Sequence, residues 1–449
     1  MSALPAGWAM TSIADIALFN PKTIADDSLI AAFAPMQLLG TRYLDRMAFE
    51  ERPWGEIKKA YVHFQPRDVI VAKVTPCFEN GKAGIAPLLP NGIGAGSSEF
   101  CVFRPAQGVD ERYLLAWFST EGFRRRATVS MTGSVGLKRV PKEVFLSEQI
   151  PLAPEAEQKR IADKLDTVLT RVDAVNTRLA RVAPLLKRFR QSVLAAATSG
   201  RLTEDWRKTQ LHAPEPTIVR LDTVARDFSY GTSAKSSSTG TTPVLRMGNI
   251  QDGQLDWDGL VFTSDAQEIE KYQLAHGDVL FNRTNSPELV GKTAVYKAER
   301  PAIYAGYLIR VRCKPTLLPD YLNYCLGSPA GKHYCWQVKS DGVSQSNINA
   351  KKLAAFEFLL PPIEEQTEIV RRVETLFAFA DRLEARLALA QTAATRLTPA
   401  LLAKAFRGEL VPQDPNDEPA AELLRRLQTE RATAPKASAG RGRKVAVQV

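Results

Sequence analysis

Two stretches of the chain carry apolar side chains at alternating steps of four and three residues. The first runs Ile161, Leu165, Val168, Val172, Val175, Leu179, Val182, Leu186, Phe189 and Val193. The second runs Ile369, Val373, Leu376, Ala380, Leu383, Leu387, Ala390, Ala394, Leu397 and Leu401, with identical steps. A period of 3.5 residues places these side chains along one seam of a helix, the pattern of paired helices. Each stretch covers about 42 residues, or ~63 Å of helix at the usual rise. Gly200 and Gly408 follow the stretches and suit a left-handed C-terminal cap. Pro151, Pro154 and Pro361-Pro362 precede them and close off helix on that side. Pro184 and Pro399 lie inside and are expected to kink or interrupt each helix.

The two stretches belong to a tandem repeat. A shift of 208 places Glu157-Gln158 on Glu365-Gln366, Leu194 on Leu402, Gly200 on Gly408 and Leu202 on Leu410. A shift of 210 places Asp68-Val69 on Asp278-Val279 and Gly81-Lys82 on Gly291-Lys292, and Gly133 matches Gly342 more loosely. The repeat unit is thus a variable globular part followed by a better-matched helix. Similar scaffolds bearing different surfaces suit a reader of two sites, although a bare domain duplication gives the same pattern.

In the globular parts, Arg67–Lys73, Gly277–Arg283, Val244–Met247 and Phe100–Arg104 read as short strands bounded by turns. Arg112–Phe118 and Asp320–Leu326 read as short helices. The fold class is therefore α+β with small mixed or antiparallel sheets. A helix with so narrow a seam needs a cover, because one this long is unstable alone. Pairing with the other copy covers it, antiparallel if the copies are related by an internal two-fold; the alternative is packing on its own globular part. The expected interface is Ile161, Leu165, Val168, Val172 and Leu179 with Ile369, Val373, Leu376, Leu383 and Leu387.

Composition changes this picture little. Apolar residues make up 45% and charged residues 24% of the 449, which excludes global disorder. No run of ~18 apolar residues exists to span a membrane, and Met1–Pro5 does not read as a secretory signal. Five scattered cysteines argue for a reducing, cytoplasmic location rather than a disulfide framework. The net charge is +10, which hints at a polyanionic partner. Its distribution is more informative: the helices carry +6 and +3 and the tail from Arg431 carries +5, which leaves −4 on the remainder of the chain, so the globular parts are not basic overall.

Polar residues suited to base edges and phosphates follow the matched strands. They are Lys73, Thr75, Glu79, Asn80 and Lys82 in the first copy, and Arg283, Thr284, Asn285, Ser286 and Lys292 in the second. Arg and Lys pair with guanine, Asn with adenine, and hydroxyls with phosphate. Any one of them is as readily a solvated loop residue. Catalytic motifs are not found. Gly291-Lys292-Thr293 has Ser286 where a phosphate-binding loop needs glycine. Asn20-Pro21-Lys22 lacks the aromatic partner of an amino-methyltransferase site, and Asp256 and Asp258 read as turn chemistry. Cys325, His333 and Cys335 are too irregular for zinc, and neither they nor His63, His212 and His276 fit a nucleophile–base arrangement.

The strings Val244–Ile250, Phe281–Ser286 and Glu288–Thr293 resemble the specificity subunits of type I restriction–modification systems. So do Thr75–Lys82, Asn91–Gly94, Gly96–Phe100 and the proline-rich leads into Glu157-Gln158 and Glu365-Gln366. The resemblance spans roughly residues 4 to 412. It implies two target recognition domains in tandem, each followed by a long helix, the two helices forming an antiparallel coiled coil. It divides the chain into recognition domain 1 (1–157), spacer helix 1 (158–207), recognition domain 2 (208–365), spacer helix 2 (366–410) and a disordered basic tail (411–449). It adds Ser97, Ser98, Arg246 and Asn249 to the candidate DNA contacts. It further implies double-stranded DNA, two modification (methyltransferase) subunits and a restriction/translocase subunit as partners. No cofactor or metal would sit on this chain; S-adenosylmethionine, ATP and Mg would belong to the partners, and this subunit would not be an enzyme. The competing readings are a fused nuclease or adenine methyltransferase of a related restriction class, and a coiled-coil scaffold that binds no DNA.

Overall fold

Both heptad stretches are continuous helices, Glu155–Thr198 and Ile363–Ala405. The computed structural model describes residues 4–134, 136–210, 214–342 and 345–433. Neither proline ends its helix, contrary to the expected interruption. Each removes one hydrogen bond, to the carbonyl four residues earlier. Those residues, Ala180 and Thr395, are exposed, so water can serve the freed carbonyls. Gly200 and Gly408 take positive φ values of 77° and 72° and cap the helices.

The chain forms two compact units, Met1–Arg178 with Ala390–Val449 and Leu179–Leu389. Each unit holds the first half of one long helix and the second half of the other, so the two helices pair antiparallel. In the first unit Ile161, Leu165 and Leu169 share a core with Leu402, Ala405 and Phe406. In the second, Arg190 lies 5.2 Å from the Phe377 ring and donates to Asp381 (2.6 Å) and Glu384 (3.0 Å). The helix roots also pack on their own globular parts. Ile161 and Leu165 meet the core of Tyr113, Leu114 and Phe118, while Ile369 and Val373 join that of Tyr321 and Leu322. Both ways of covering the seam are therefore used. Ile161, Leu165, Val172, Ile369, Val373 and Leu387 are buried; Val168, Leu179, Leu376 and Leu383 are partly so. Each fully enclosed seam side chain contributes roughly 1.5–3 kcal/mol before entropy. The cover is not complete, and Val175 and Leu397 are each 45% exposed.

The globular parts repeat one architecture. In the first unit a four-stranded antiparallel sheet runs Ala17–Phe19, Phe100–Pro105, Val69–Ala72, Ala83–Ile85. In the second it runs Ala225–Tyr230, Leu308–Cys313, Val279–Asn282, Thr293–Val295. The central strands are buried along their length, which is why they read as unbroken apolar runs. A buried aspartate opens each: Asp68 accepts from Arg104 and Asp278 from Arg312, both at 2.8 Å. A second, mixed sheet lies beside the first, with the parallel pairs Phe33↔Ala95 and Val244↔Ile303. The strands that enter and leave each part pair with one another, Ala9↔Leu152 and Thr217↔Leu360. This closure brings both chain ends of the domain to the helix root.

The tail departs from expectation. Ala420–Thr433 is a helix, not a disordered segment, and Ala420, Leu423 and Leu427 are buried in the first unit's core. Those three positions form an apolar stripe at steps of three and four, enough to dock a 14-residue helix. Arg431 donates to the Ala14 carbonyl at 2.7 Å. The rest of the proposed tail, 434–449, lies outside the described residues. Arg160 pairs with Asp417 (2.5 Å), and Arg372 with Asp205 (2.7 Å). In each unit, then, the segment that follows one helix is tied to the root of the other.

Candidate nucleic-acid interface

In both units the chain leaves the central strand and runs beside a hairpin, exposed in the first unit and half-buried in the second. The first hairpin pairs Thr132–Ser134 with Leu137–Arg139, and the second pairs Ser340–Asp341 with Ser346–Asn347. Glycines 133 and 136 take φ of 130° and 83°, which a tight turn requires and other residues rarely adopt. The hairpins are held in corresponding ways. Lys73 N donates to Glu99 O (2.9 Å) and Val140 N to Lys73 O (2.9 Å). Arg283 N donates to Tyr307 O (3.0 Å) and Ile348 N to Arg283 O (2.9 Å). The side chains repeat the correspondence. Lys73 Nζ donates to Ser98 O at 2.9 Å, and Arg283 Nη1 donates to Gly306 O at 3.2 Å. Ser98 and Gly306, Glu99 and Tyr307, and Val140 and Ile348 all stand 208 apart.

The two units differ in how the hairpin is locked. In the first, Arg139 forks onto Glu99 at 2.7–3.1 Å, and these hydrogen bonds hold the Glu99 carboxyl below the usual range. Thr75 Oγ1 accepts from Lys138 N (3.0 Å). In the second, Arg283 spans from Gly306 to Asn347 Oδ1 (3.4 Å) with its guanidinium 4.8 Å from the Tyr230 ring. Asn347 donates on to Thr284 Oγ1 (2.8 Å), and Asn285 pairs with Ser346.

The candidate residues thus fall into groups. Lys73, Thr75 and Ser98 gather at the first hairpin; Arg283, Thr284 and Asn285 gather at the second. Ser97 Oγ accepts from Glu99 N (3.2 Å), and Ser286 N donates to Asn285 Oδ1 (2.8 Å). Glu79 and Asn80 are exposed on the turn that follows. Lys82 is spent on the Met36 and Leu39 carbonyls at 2.8 and 3.0 Å. Lys292 donates to Gln251 (2.8 Å) and lines a cavity of about 750 Å³ with Lys187 and Lys332. Arg246 is exposed and reaches the Gly259 carbonyl (3.2 Å). Asn249 is buried, not presented to a ligand. Its amide donates to Asp256 O and Asp258 O, both at 3.0 Å, because the turn there leaves those carbonyls without strand partners. Asp256 and Asp258 accordingly shape that turn.

Residues not singled out from the sequence complete the hairpin surfaces: Lys138, Arg139, Glu99, Tyr230 and Asn347. The spaced glycines at 133 and 136 were the available signal. Side-chain partners 40 or 64 residues away, as in Arg139–Glu99 and Arg283–Asn347, leave no local trace. Among the described residues no group of three or more His, Cys, Asp or Glu side chains could hold a metal ion. No described helix is long and apolar enough to cross a membrane.

Two tandem α+β domains on two antiparallel helices, each with a basic side chain held beside a hairpin (Lys73 in the first, Arg283 in the second), define a two-site class of protein. The model of the type I restriction modification DNA specificity domain matches residues 56–183 and 227–389, and the chain belongs to that family. It is 34% identical over 347 residues to the type I restriction enzyme EcoKI specificity subunit of Escherichia coli K12, covering 74% of this chain and 75% of that one. It is 35% identical over 351 residues to the StySPI specificity subunit of Salmonella potsdam, covering 74% of each. The fold matches the crystal structure of the HsdS subunit from Thermoanaerobacter tengcongensis with a TM-score of 0.62, at 22% identity over 90% of this chain and 98% of that one. A structure from a study of assembly and conformational transition of the type I R-M system matches with a TM-score of 0.67, at 21% identity over 91% of this chain and 100% of that one.

Proposed function

We propose that this chain is the sequence-specificity subunit of a type I restriction–modification complex and that each globular part reads one half of a bipartite DNA target. The observation that carries this is the repeated hairpin clamp at Lys73 and Arg283, one in each unit, on backbones that correspond while the exposed side chains differ. The paired helices act as the spacer between half-sites, which on one face of DNA lie about 34–36 Å apart per helical turn. They also dock two modification subunits, which bind S-adenosylmethionine and methylate an adenine taken out of the duplex. A restriction subunit with ATP and Mg joins the same complex, and this chain performs no chemistry itself. Because the globular parts are not basic overall, their hold on DNA is local to the hairpins or shared with partners.

Methylation-aware sequencing of host DNA with this gene present, absent, or carrying one exchanged globular part tests the reading. Exchange of residues 1–157 should change one half of the methylated site and leave the other half and the spacer intact. Methyl transfer or cleavage by the purified chain alone would replace it with the fused-enzyme reading. No mobility shift on either matched or scrambled DNA would reduce the chain to a scaffold.

A further inference from the structure

At the root of each long helix the chain reads Glu-Gln, and both glutamines are fully enclosed. Gln158 Oε1 accepts from Asp110 N (3.1 Å), and its Nε2 donates to Ala153 O (2.9 Å) and Gly108 O (3.5 Å). Gln366 Oε1 accepts from Leu318 N (2.8 Å), and its Nε2 donates to Pro361 O (2.8 Å) and Thr316 O (2.9 Å). Every partner stands 208 from its counterpart. Asp110 and Leu318 are the N-cap residues of the domain helices Glu111–Phe118 and Pro319–Gly327. Ala153 and Pro361 follow the strands by which the chain leaves each domain. One amide therefore joins the domain's exit strand, its N-cap and the first turn of the long helix.

The preceding glutamates bind the segments that lead into each domain. Glu157 accepts from Trp8 Nε1 (3.0 Å), and Glu365 accepts from Thr203 Oγ1 (2.6 Å) with Arg207 at 3.4 Å. Glu157 and Glu365 are 1% and 0% exposed, so neither touches a ligand on the surface. Each joint lies wholly inside its own unit.

We propose that the two Glu-Gln joints are positioning residues that fix the angle of each recognition domain on its helix and so restrict the complex to one spacing between half-sites. The proposal rests on the two-half-site reading above. A domain of ~150 residues has a radius of gyration near 15 Å. Its reading face thus lies roughly 20 Å from the joint, and a tilt of ~10° displaces that face by ~3.5 Å, about one base-pair step. Weakening a joint should broaden the spacing accepted without changing the bases read.

The test uses the complex of the full chain with its modification subunits. Its methylation is measured on DNAs with unchanged half-sites and spacers of native length, one base pair shorter and one longer. Gln158→Ala and Gln366→Ala should each lower the preference for the native spacer about tenfold while half-site mismatch penalties stay within about twofold. Uniform loss on all spacers by variants that melt cooperatively overturns the proposal. Should both glutamine variants fail to fold, Trp8→Phe decides: it keeps an aromatic side chain in the core and removes the donor to Glu157. A weaker spacer preference in Trp8→Phe supports the joint, and an unchanged spacer profile overturns it. If the wild-type complex shows no dependence on spacing, the two-half-site reading fails instead.

Discussion

Arg283→Ala separates a clamp from a phosphate contact. In the free protein the guanidinium is already committed to Gly306 O at 3.2 Å and Asn347 Oδ1 at 3.4 Å, and it stacks on Tyr230. Two long charge-assisted hydrogen bonds contribute about 1 kcal/mol each, and the ring contact adds ~0.5–1. Loss of ~2–3 kcal/mol from hairpin placement weakens binding by roughly 30- to 150-fold. The assay is equilibrium binding to DNAs altered in one half-site at a time, repeated across a salt series. Only the half read by the second domain should lose affinity, and the salt dependence should be unchanged. Arg283→Lys keeps the charge without the fork and should recover only part of the loss. A loss equal on all sequences, with a salt slope shallower by about 0.9, would show a phosphate contact and refute the clamp. Lys73 makes a single such bond, to Ser98 O, so Lys73→Ala should weaken the other half-site by only ~3–10-fold.

Further outcomes follow from the scaffold. Leu423→Ala, at 3% exposure, should cost about 2–5 kcal/mol and lower the unfolding midpoint of the first unit; no change would mean that the C-terminal helix is not docked in solution. Hydrogen bonds from Arg371 and Arg372 lower the Glu368 carboxyl to about 2. Its folded value lies below its unfolded value, so its stabilisation is present above pH ~4.5 and is lost as pH falls toward 2. The urea midpoints of wild type and Glu368→Gln should therefore differ at pH 6 and converge near pH 2. Insertion of one heptad into each long helix adds ~10.5 Å and should lengthen the recognised spacer by about three base pairs, read by methylation mapping. Retention of the original spacer would refute the helices as a ruler.

The helices and central strands were legible because their signals are local. Ile161 to Val193 show a period that only a helix satisfies, and Val69–Ala72 and Val279–Asn282 are short apolar runs bounded by turns. Two local signals misled. Pro184 weakens a helix intrinsically, yet the cost at an exposed turn is one bond that water replaces. The charged composition around Ala420–Thr433 masked three apolar positions that matter only once a core is there to receive them.

The candidate site was legible only in part. Lys73 and Arg283 were marked by their correspondence, but their carbonyl partners and the hairpin cations Lys138 and Arg139 were not. By itself, the order of residues determined the tandem repeat, the two helix seams, the strand cores and the family, since all of these are carried by periodicity and short strings. Tertiary structure alone decided that each compact unit takes half of each helix and that Asn249 faces inward. It alone decided that Lys73 and Arg283 are bound to protein carbonyls and that Glu157-Gln158 and Glu365-Gln366 are joints. The reason is physical: a buried polar group must find a partner wherever the fold supplies one, and these partners come from segments tens to hundreds of residues away, as with Trp8 and Glu157.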